Sequence, residues 1–150
     1  MKILFVCSGN ICRSPMAHGL LRKYIKENKL DWQVDSAGTH DFHEGERPDS
    51  RTLKIAQKYK VNMEGIIAKP FSRLNHTDFD YVFGLGLEHK QALIRSGWPK
   101  EKVHLLLEFI GESGDVADPY YGELHDFEEM YVVLIDAMER LVGKLGPPAP

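Results

Sequence analysis

Near the N-terminus a thiol, five intervening residues and a guanidinium follow one another in the run Val6-Cys7-Ser8-Gly9-Asn10-Ile11-Cys12-Arg13-Ser14-Pro15. A thiol is a nucleophile only as its thiolate. A helix N-terminus, a neighbouring guanidinium and converging backbone N–H groups all favour that anion, and they equally favour a bound phosphate. Arg13 offers a planar fork that can hold two phosphoryl oxygens together, which a lysine cannot copy. Gly9 suits either close backbone approach or a positive φ. Asn10 tolerates the left-handed region and can hydrogen-bond the loop from within. Ser14 can donate its hydroxyl to the thiolate or cap a following helix, and Pro15 suits a first helical turn. The residues themselves therefore suggest Cys7 as a nucleophile in a loop that cradles a phosphoryl group.

Such a loop needs a strand before it and a helix after it. Ile3-Leu4-Phe5-Val6 is a short apolar run of the kind buried strands show, and residues 16–26 carry Met16, Leu20, Leu21, Tyr24 and Ile25 as a helical stripe. Further along, Asp31-Trp32-Gln33-Val34-Asp35 reads as a second strand, closed by turn chemistry at Ser36-Ala37-Gly38-Thr39. Pro48-Asp49 opens a second helix with Leu53, Ala56 and Tyr59 on one stripe. Asp80-Tyr81-Val82-Phe83-Gly84 reads as a third strand and residues 88–95 as a helix that stops before Gly97-Trp98-Pro99. Val103-His104-Leu105-Leu106-Leu107 reads as a fourth strand, and Phe127, Tyr131, Leu134, Met138, Leu141 and Leu145 mark a long amphipathic helix. Strands alternating with helices predict an α/β fold: one doubly wound domain over residues 1–150, with a four-stranded parallel sheet and helices on both faces. Right-handed crossovers suggest the order 2-1-3-4. In such a sheet ligands bind beyond the carboxyl ends of the strands, where Cys7 stands.

Composition narrows the partners. The chain has 150 residues, 43% hydrophobic and 27% charged, enough for a sizeable core. A net charge of −3 gives no nucleic-acid footprint and no polybasic patch for a membrane. No apolar run is long enough to span a bilayer and no export signal precedes the first strand. The two cysteines form no disulfide framework, so a reducing cytoplasm is the expected setting. The tail, residues 146–150, is expected to fray. His40 and His43, interleaved with Asp41 and Glu44, lack a third fixed ligand, so no metal and no cofactor are expected.

The phosphate-loop run resembles the low-molecular-weight protein tyrosine phosphatase family. Cys7, the five residues Ser8 to Cys12, and Arg13-Ser14 match its C-x5-R-S signature, and Gly9-Asn10 with Cys12 match the longer pattern. Asp35-Ser36-Ala37-Gly38-Thr39, Pro48-Asp49-Ser50-Arg51 and Asp118-Pro119-Tyr120-Tyr121-Gly122 resemble further family motifs, in family order. The resemblance implies that Ser36 hydrogen-bonds the phosphate loop and that Ser8, Gly9, Asn10, Ile11, Cys12 and Ser14 shape it. Phe42 is then an aromatic wall for a phosphotyrosine ring, or else a loop residue packed on the body. Tyr120 and Tyr121 would flank the cleft. Arg51 could reach toward it, though a solvated helix arginine is the default. One departure stands out: where relatives often carry Met-Asp after the third strand, this chain has Leu85-Gly86, and a carboxylate that supports the site floor is missing.

Cleaving a phosphate ester also requires a proton for the leaving oxygen. By itself Asp118 reads as a turn aspartate before proline. The motif match implies the general acid, with Asp115 in reserve, and a carboxyl facing a phosphate dianion keeps its proton more readily. The implied reaction is metal-free attack by Cys7 on phosphorus, followed by hydrolysis of a cysteinyl-phosphate. Cys12 is either a small buried side chain or a partner for reversible disulfide formation with Cys7. The implied partner is a phosphotyrosine-containing protein, and the chain is expected to be a monomer, with weak self-association left open. Two other activities use the same fold. A thioredoxin-coupled arsenate reductase would need further cysteines, and none follows Cys12. Protein-arginine phosphatases often carry threonine where this chain has the bulkier, apolar Ile11, which suits an aromatic substrate better. A non-catalytic phosphate-binding module would be expected to lack Cys7, Arg13 or Asp118.

Overall fold

The computed structural model describes residues 1–146; beyond Gly146, the tail expected to fray lies outside the described residues. Strand β1 (Lys2–Cys7) is central. It pairs in parallel with β2 (Gln33–Gly38) on one side and β3 (Tyr81–Gly84) on the other, and β3 pairs in parallel with β4 (Val103–Leu105), giving the order β2-β1-β3-β4. The expected topology is the one found.

The apolar run of β1 has a simple cause: both faces of the strand are covered. Ile3, Phe5 and Cys7 point into a core shared with Met16, Ala17, Leu20 and Leu21 of helix α1 (Arg13–Glu27), Ile55 and Ala56 of α2 (Ser50–Lys58), and Phe127, Leu134 and Met138 of α5 (Leu124–Leu145). Leu4 and Val6 alternate to the other face. There they meet Phe71, Phe79, Trp98 and Leu93, the last from helix α3 (Leu87–Arg95). Helices therefore cover both faces of the sheet.

Three boundaries differ from the sequence reading. Strand β2 runs on through Gly38, so Ser36, Ala37 and Gly38, expected as a turn, are its buried end, paired with Phe5, Val6 and Cys7 of β1. Helix α1 begins at Arg13 rather than Met16, inside the motif itself; Pro15 fits its first turn, where an N–H has no intrahelical partner. The fourth strand ends at Leu105, and Leu106–Phe109 form a short helical turn, α4. Leu106 is fully buried in that turn, and a short apolar run fits a buried helix as well as a strand.

Candidate active site

The carboxyl end of β1 delivers Cys7 to a cleft of about 390 Å³. Its floor is made by Cys7, Ser8, Gly9, Ile11, Cys12 and Arg13, and its rim by His40, Phe42, His43, Asp118, Tyr120 and Tyr121. The three residues singled out for catalysis are thus brought together from positions up to 111 apart in the chain, 118 − 7.

The shape of the loop follows from a short chain of hydrogen bonds. Asn10 lies in the left-handed region at φ 58°, as its residue type allows. Its Oδ1 accepts the backbone N–H of Lys69 at 3.1 Å, which only the oxygen of the amide can do, so Nδ2 is turned toward Ser14 Oγ, 2.7 Å away. Ser14 Oγ accepts that proton and directs its own hydroxyl to Cys7 Sγ at 2.9 Å, with Ala37 O a more distant alternative at 3.4 Å. Ser14 N–H adds a contact to the sulfur at 3.4 Å. Ser14 thus serves the sulfur, and no side chain caps α1. Both contacts place a donor against the Cys7 sulfur. The N–H groups of Ser8 to Arg13 donate to no acceptor among the described residues, which leaves them for an anion at the N-terminus of α1.

Gly9 has an ordinary φ, and its contribution is close approach: a Cβ there would lie 3.0 Å from the His43 ring and 3.3 Å from that of His40. Ile11 is held from outside the loop. Its carbonyl accepts Asp49 N–H at 2.9 Å and the Thr52 hydroxyl at 3.1 Å, both from the start of α2. Cys7 and Cys12 are free, buried thiols. Burial foremost, then the nearby Cys7, pushes the Cys12 thiol up to about 12, so Cys12 stays neutral.

Ser36 requires a correction. Its hydroxyl does not reach the loop; it pairs with His18 Nδ1 at 2.9 Å, buried behind α1. The end of β2 and the residue after it support the loop through the backbone instead. Thr39 N–H donates to the carbonyls of Cys7 and Ser8, each at 2.9 Å. Gly38 passes so close that an added Cβ would sit 2.5 Å from Ser8 O.

Arg13 is only 5% exposed. Its Nη1 donates to Val116 O at 3.0 Å and its Nη2 lies 3.5 Å from Asp118 Oδ2. Nε is buried with no partner among the described residues, a donor that a phosphoryl oxygen in the cleft would satisfy. Asp118 Oδ1 accepts Tyr120 N–H at 3.1 Å, which fixes the carboxyl at the start of its loop. Asp115, the reserve acid, is occupied elsewhere: its Oδ1 accepts Leu87 N–H at 3.1 Å, and it does not line the cleft. Its Oδ2 lies 3.1 Å from where a Cβ on Gly86 would be. A carboxylate therefore reaches the region of the missing acid from a different loop.

The rim is aromatic. Phe42 is 79% exposed and stacks on His40 with centroids 4.0 Å apart, so it forms a free wall and is not packed on the body. Tyr120 meets Tyr121 edge-on at 4.9 Å, and Tyr121 is 94% exposed. Arg51 is neither free in solvent nor in the cleft. It grips Asp49 through Nε at 3.0 Å and Nη2 at 2.9 Å, donates to Gly122 O at 3.2 Å, and lies over the rings of Phe127 and Tyr120. It ties the loop carrying Asp118 to the start of α2, and this bond holds the Asp49 carboxyl below its ordinary range. His89 and Lys69 also support the site, with no sequence motif that marks them; both act on the loop from distant segments. Among the described residues no group of three or more metal-ligating side chains is assembled, and no helix is long and apolar enough to cross a membrane.

Comparison with known proteins finds relatives along nearly the whole chain. The family model described as "Low molecular weight phosphotyrosine protein phosphatase" matches residues 2–147. A Schizosaccharomyces pombe protein of that name is 35% identical, over 97% of this chain and 97% of its own. A protein tyrosine phosphatase structure from Entamoeba histolytica, with Hepes in its active site, is 36% identical. It superposes with a TM-score of 0.89, covering 97% of this chain and 96% of that one. A Drosophila arginine phosphatase structure, 28% identical, superposes with a TM-score of 0.90 over 99% and 100% of the two chains.

Proposed function

The chain belongs to the low molecular weight phosphotyrosine protein phosphatase family, and from that premise we infer that it hydrolyses phosphotyrosine in proteins through a cysteinyl-phosphate. The observation that carries this reading is the arrangement of Cys7, Arg13 and Asp118 around one cleft with an aromatic rim.

In the first step the Cys7 thiolate attacks phosphorus in line with the ester oxygen. An S–P bond forms and the P–O bond to the tyrosine breaks. Arg13 and the loop N–H groups hold the three equatorial oxygens, and their developing charge is met by donors already in place. Asp118 gives its proton to the departing phenolate. In the second step ionised Asp118 takes a proton from water, whose oxygen attacks phosphorus. The S–P bond breaks, returning the thiolate and releasing inorganic phosphate. Neither step draws on a metal or cofactor. Phe42, Tyr120 and Tyr121 would flank the substrate ring, and residues 1–150 would act as one phosphatase domain, working as a cytoplasmic monomer. Hydrolysis of an aryl phosphate by wild type and Cys7→Ser tests the reading: turnover is lost in the variant, and an active Cys7→Ser enzyme overturns it.

The fold neighbour that acts on arginine supplies a second reading, hydrolysis of protein phosphoarginine. Ile11 speaks for the aromatic substrate. It lines the cleft with a bulky apolar side chain, which complements a phenyl ring better than a guanidinium. Relative kcat/KM on phosphotyrosine and phosphoarginine peptides separates the two.

A further inference from the structure

His89 is nearly fully buried (1% exposed) at the first turn of α3, directly behind the phosphate loop. Gly86 N–H donates to its Nδ1 at 2.9 Å, so that nitrogen presents a lone pair. Burial first, and then the Arg13 charge, push the imidazole down to about 4, against the smaller opposing pull of Asp115 and Asp118. A neutral ring that accepts at Nδ1 carries its proton on Nε2. Nε2 lies 2.9 Å from Ser8 Oγ, with exposed Glu88 Oε1 a longer alternative at 3.3 Å. Ser8 Oγ is therefore the acceptor of this bond, and its own hydroxyl proton is free. Ser8 lines the cleft next to Cys7.

We propose that His89 is a positioning residue for phosphoryl transfer: by donating to Ser8 Oγ it turns the Ser8 hydroxyl proton toward a phosphoryl oxygen, adding a side-chain donor to the amide cradle. The backbone makes room for this. Gly86 has no side chain, and a Cβ there would lie 3.3 Å from His89 Nδ1. Gly86 and His89 thus form a local unit in which the glycine amide sets the tautomer and the histidine sets the hydroxyl. This inference rests on the loop being the phosphate site.

The test is competitive inhibition of aryl phosphate hydrolysis by inorganic phosphate, together with kcat and KM, in Ser8→Ala, His89→Ala, the double variant and His89→Gln. Losing one hydrogen bond to a charged group predicts that each alanine variant weakens phosphate inhibition and lowers kcat/KM by about 10- to 100-fold. The double variant is expected to be no worse than Ser8→Ala, because His89 acts only through the Ser8 hydroxyl. His89→Gln, whose amide N–H can reach the position of Nε2, recovers part of the loss. Unchanged phosphate inhibition in His89→Ala, or losses that add in the double variant, overturns the proposal even if the melting temperature falls. Should His89→Ala fail to fold, Ser8→Ala decides alone, and wild-type phosphate inhibition in it is the overturning result. Failure of the parent reading looks different: Cys7→Ser would keep turning over, or phosphate would not compete with substrate in the wild-type enzyme.

Discussion

Arg13 Nη2 lies 3.5 Å from Asp118 Oδ2, so the group that would bind the phosphoryl oxygens also places the carboxyl that would protonate the leaving group. The two functions are geometrically linked, but they separate kinetically. Asp118→Asn keeps a polar side chain of the same size and removes the proton. Its kcat on an alkyl or unactivated aryl phosphate is expected to fall by about 10²- to 10⁴-fold, the usual contribution of a general acid. With a leaving group that departs readily as the anion, the first step needs no proton and the loss shrinks. Steady-state kinetics across a series of phenol leaving groups checks this, and equal activity of the variant on the poorest leaving group would remove Asp118 from the role.

Arg13→Lys preserves one positive charge in the loop. It cannot keep the bond to Val116 O and still present a fork to the phosphate. Since removing one preorganised donor to transition-state charge costs about 10²- to 10³-fold, kcat is expected to drop by at least that factor. The fold should survive, because the hydrophobic core does not include this side chain. Single-turnover rates and a thermal melt distinguish lost chemistry from lost structure.

Asn10 allows the loop's conformation to be tested separately from its hydrogen bonds. Asn10→Gly accepts φ 58° without strain but leaves Lys69 N–H and Ser14 Oγ without their partner. A stability loss of about 1–3 kcal/mol is expected, together with reduced turnover because the Ser14 hydroxyl is no longer directed at Cys7. Asn10→Ala adds a cost of roughly 1–2 kcal/mol for the left-handed backbone. Urea unfolding of both variants measures the two contributions separately.

The parts of this molecule that sequence reveals are those encoded over short distances. Cys7 to Ser14 lie on one loop and are bonded to each other, so their spacing displays the geometry directly. The sheet order follows from runs of apolar residues and from the handedness of crossovers. What stays hidden is pairing between remote segments. His89 meets Ser8 across 81 positions and Lys69 meets Asn10 across 59, and neither residue type announces such a contact. Lys69 acts through its backbone N–H, which any residue but proline would supply. Ser36 differs from its expected role for a related reason. The end of β2 does support the loop, but through the close approach of Gly38 and the backbone N–H of Thr39, while the Ser36 hydroxyl faces His18. Leu106 reads as strand in the sequence but is helical in the structure, because apolar runs of that length do not distinguish strand from buried helix.

His18 and His89 together make stability depend on pH in a definite window. Burial is the leading cause for both, and each is pushed down to about 4 from an ordinary 6.5. At His18 the nearby Arg22 and Lys69 add to the depression and Asp35 opposes it. Above pH 6.5 both folded and unfolded states hold these rings neutral, and their full contribution is present. As pH falls from about 6.5 toward 4, the unfolded chain takes up protons that the folded one refuses, so the folded state loses ground, on the order of 3 kcal/mol for each ring. Below about 4 both states are protonated and this contribution levels off; there the loss of the Asp49–Arg51 bond takes over, as the carboxylate with its depressed value is finally protonated. Denaturant unfolding at a series of pH values is expected to show stability declining through the upper window. His18→Gln, which removes one of these rings, should make the slope there shallower, whereas the same slope in the variant would show that His18 does not titrate as its burial requires.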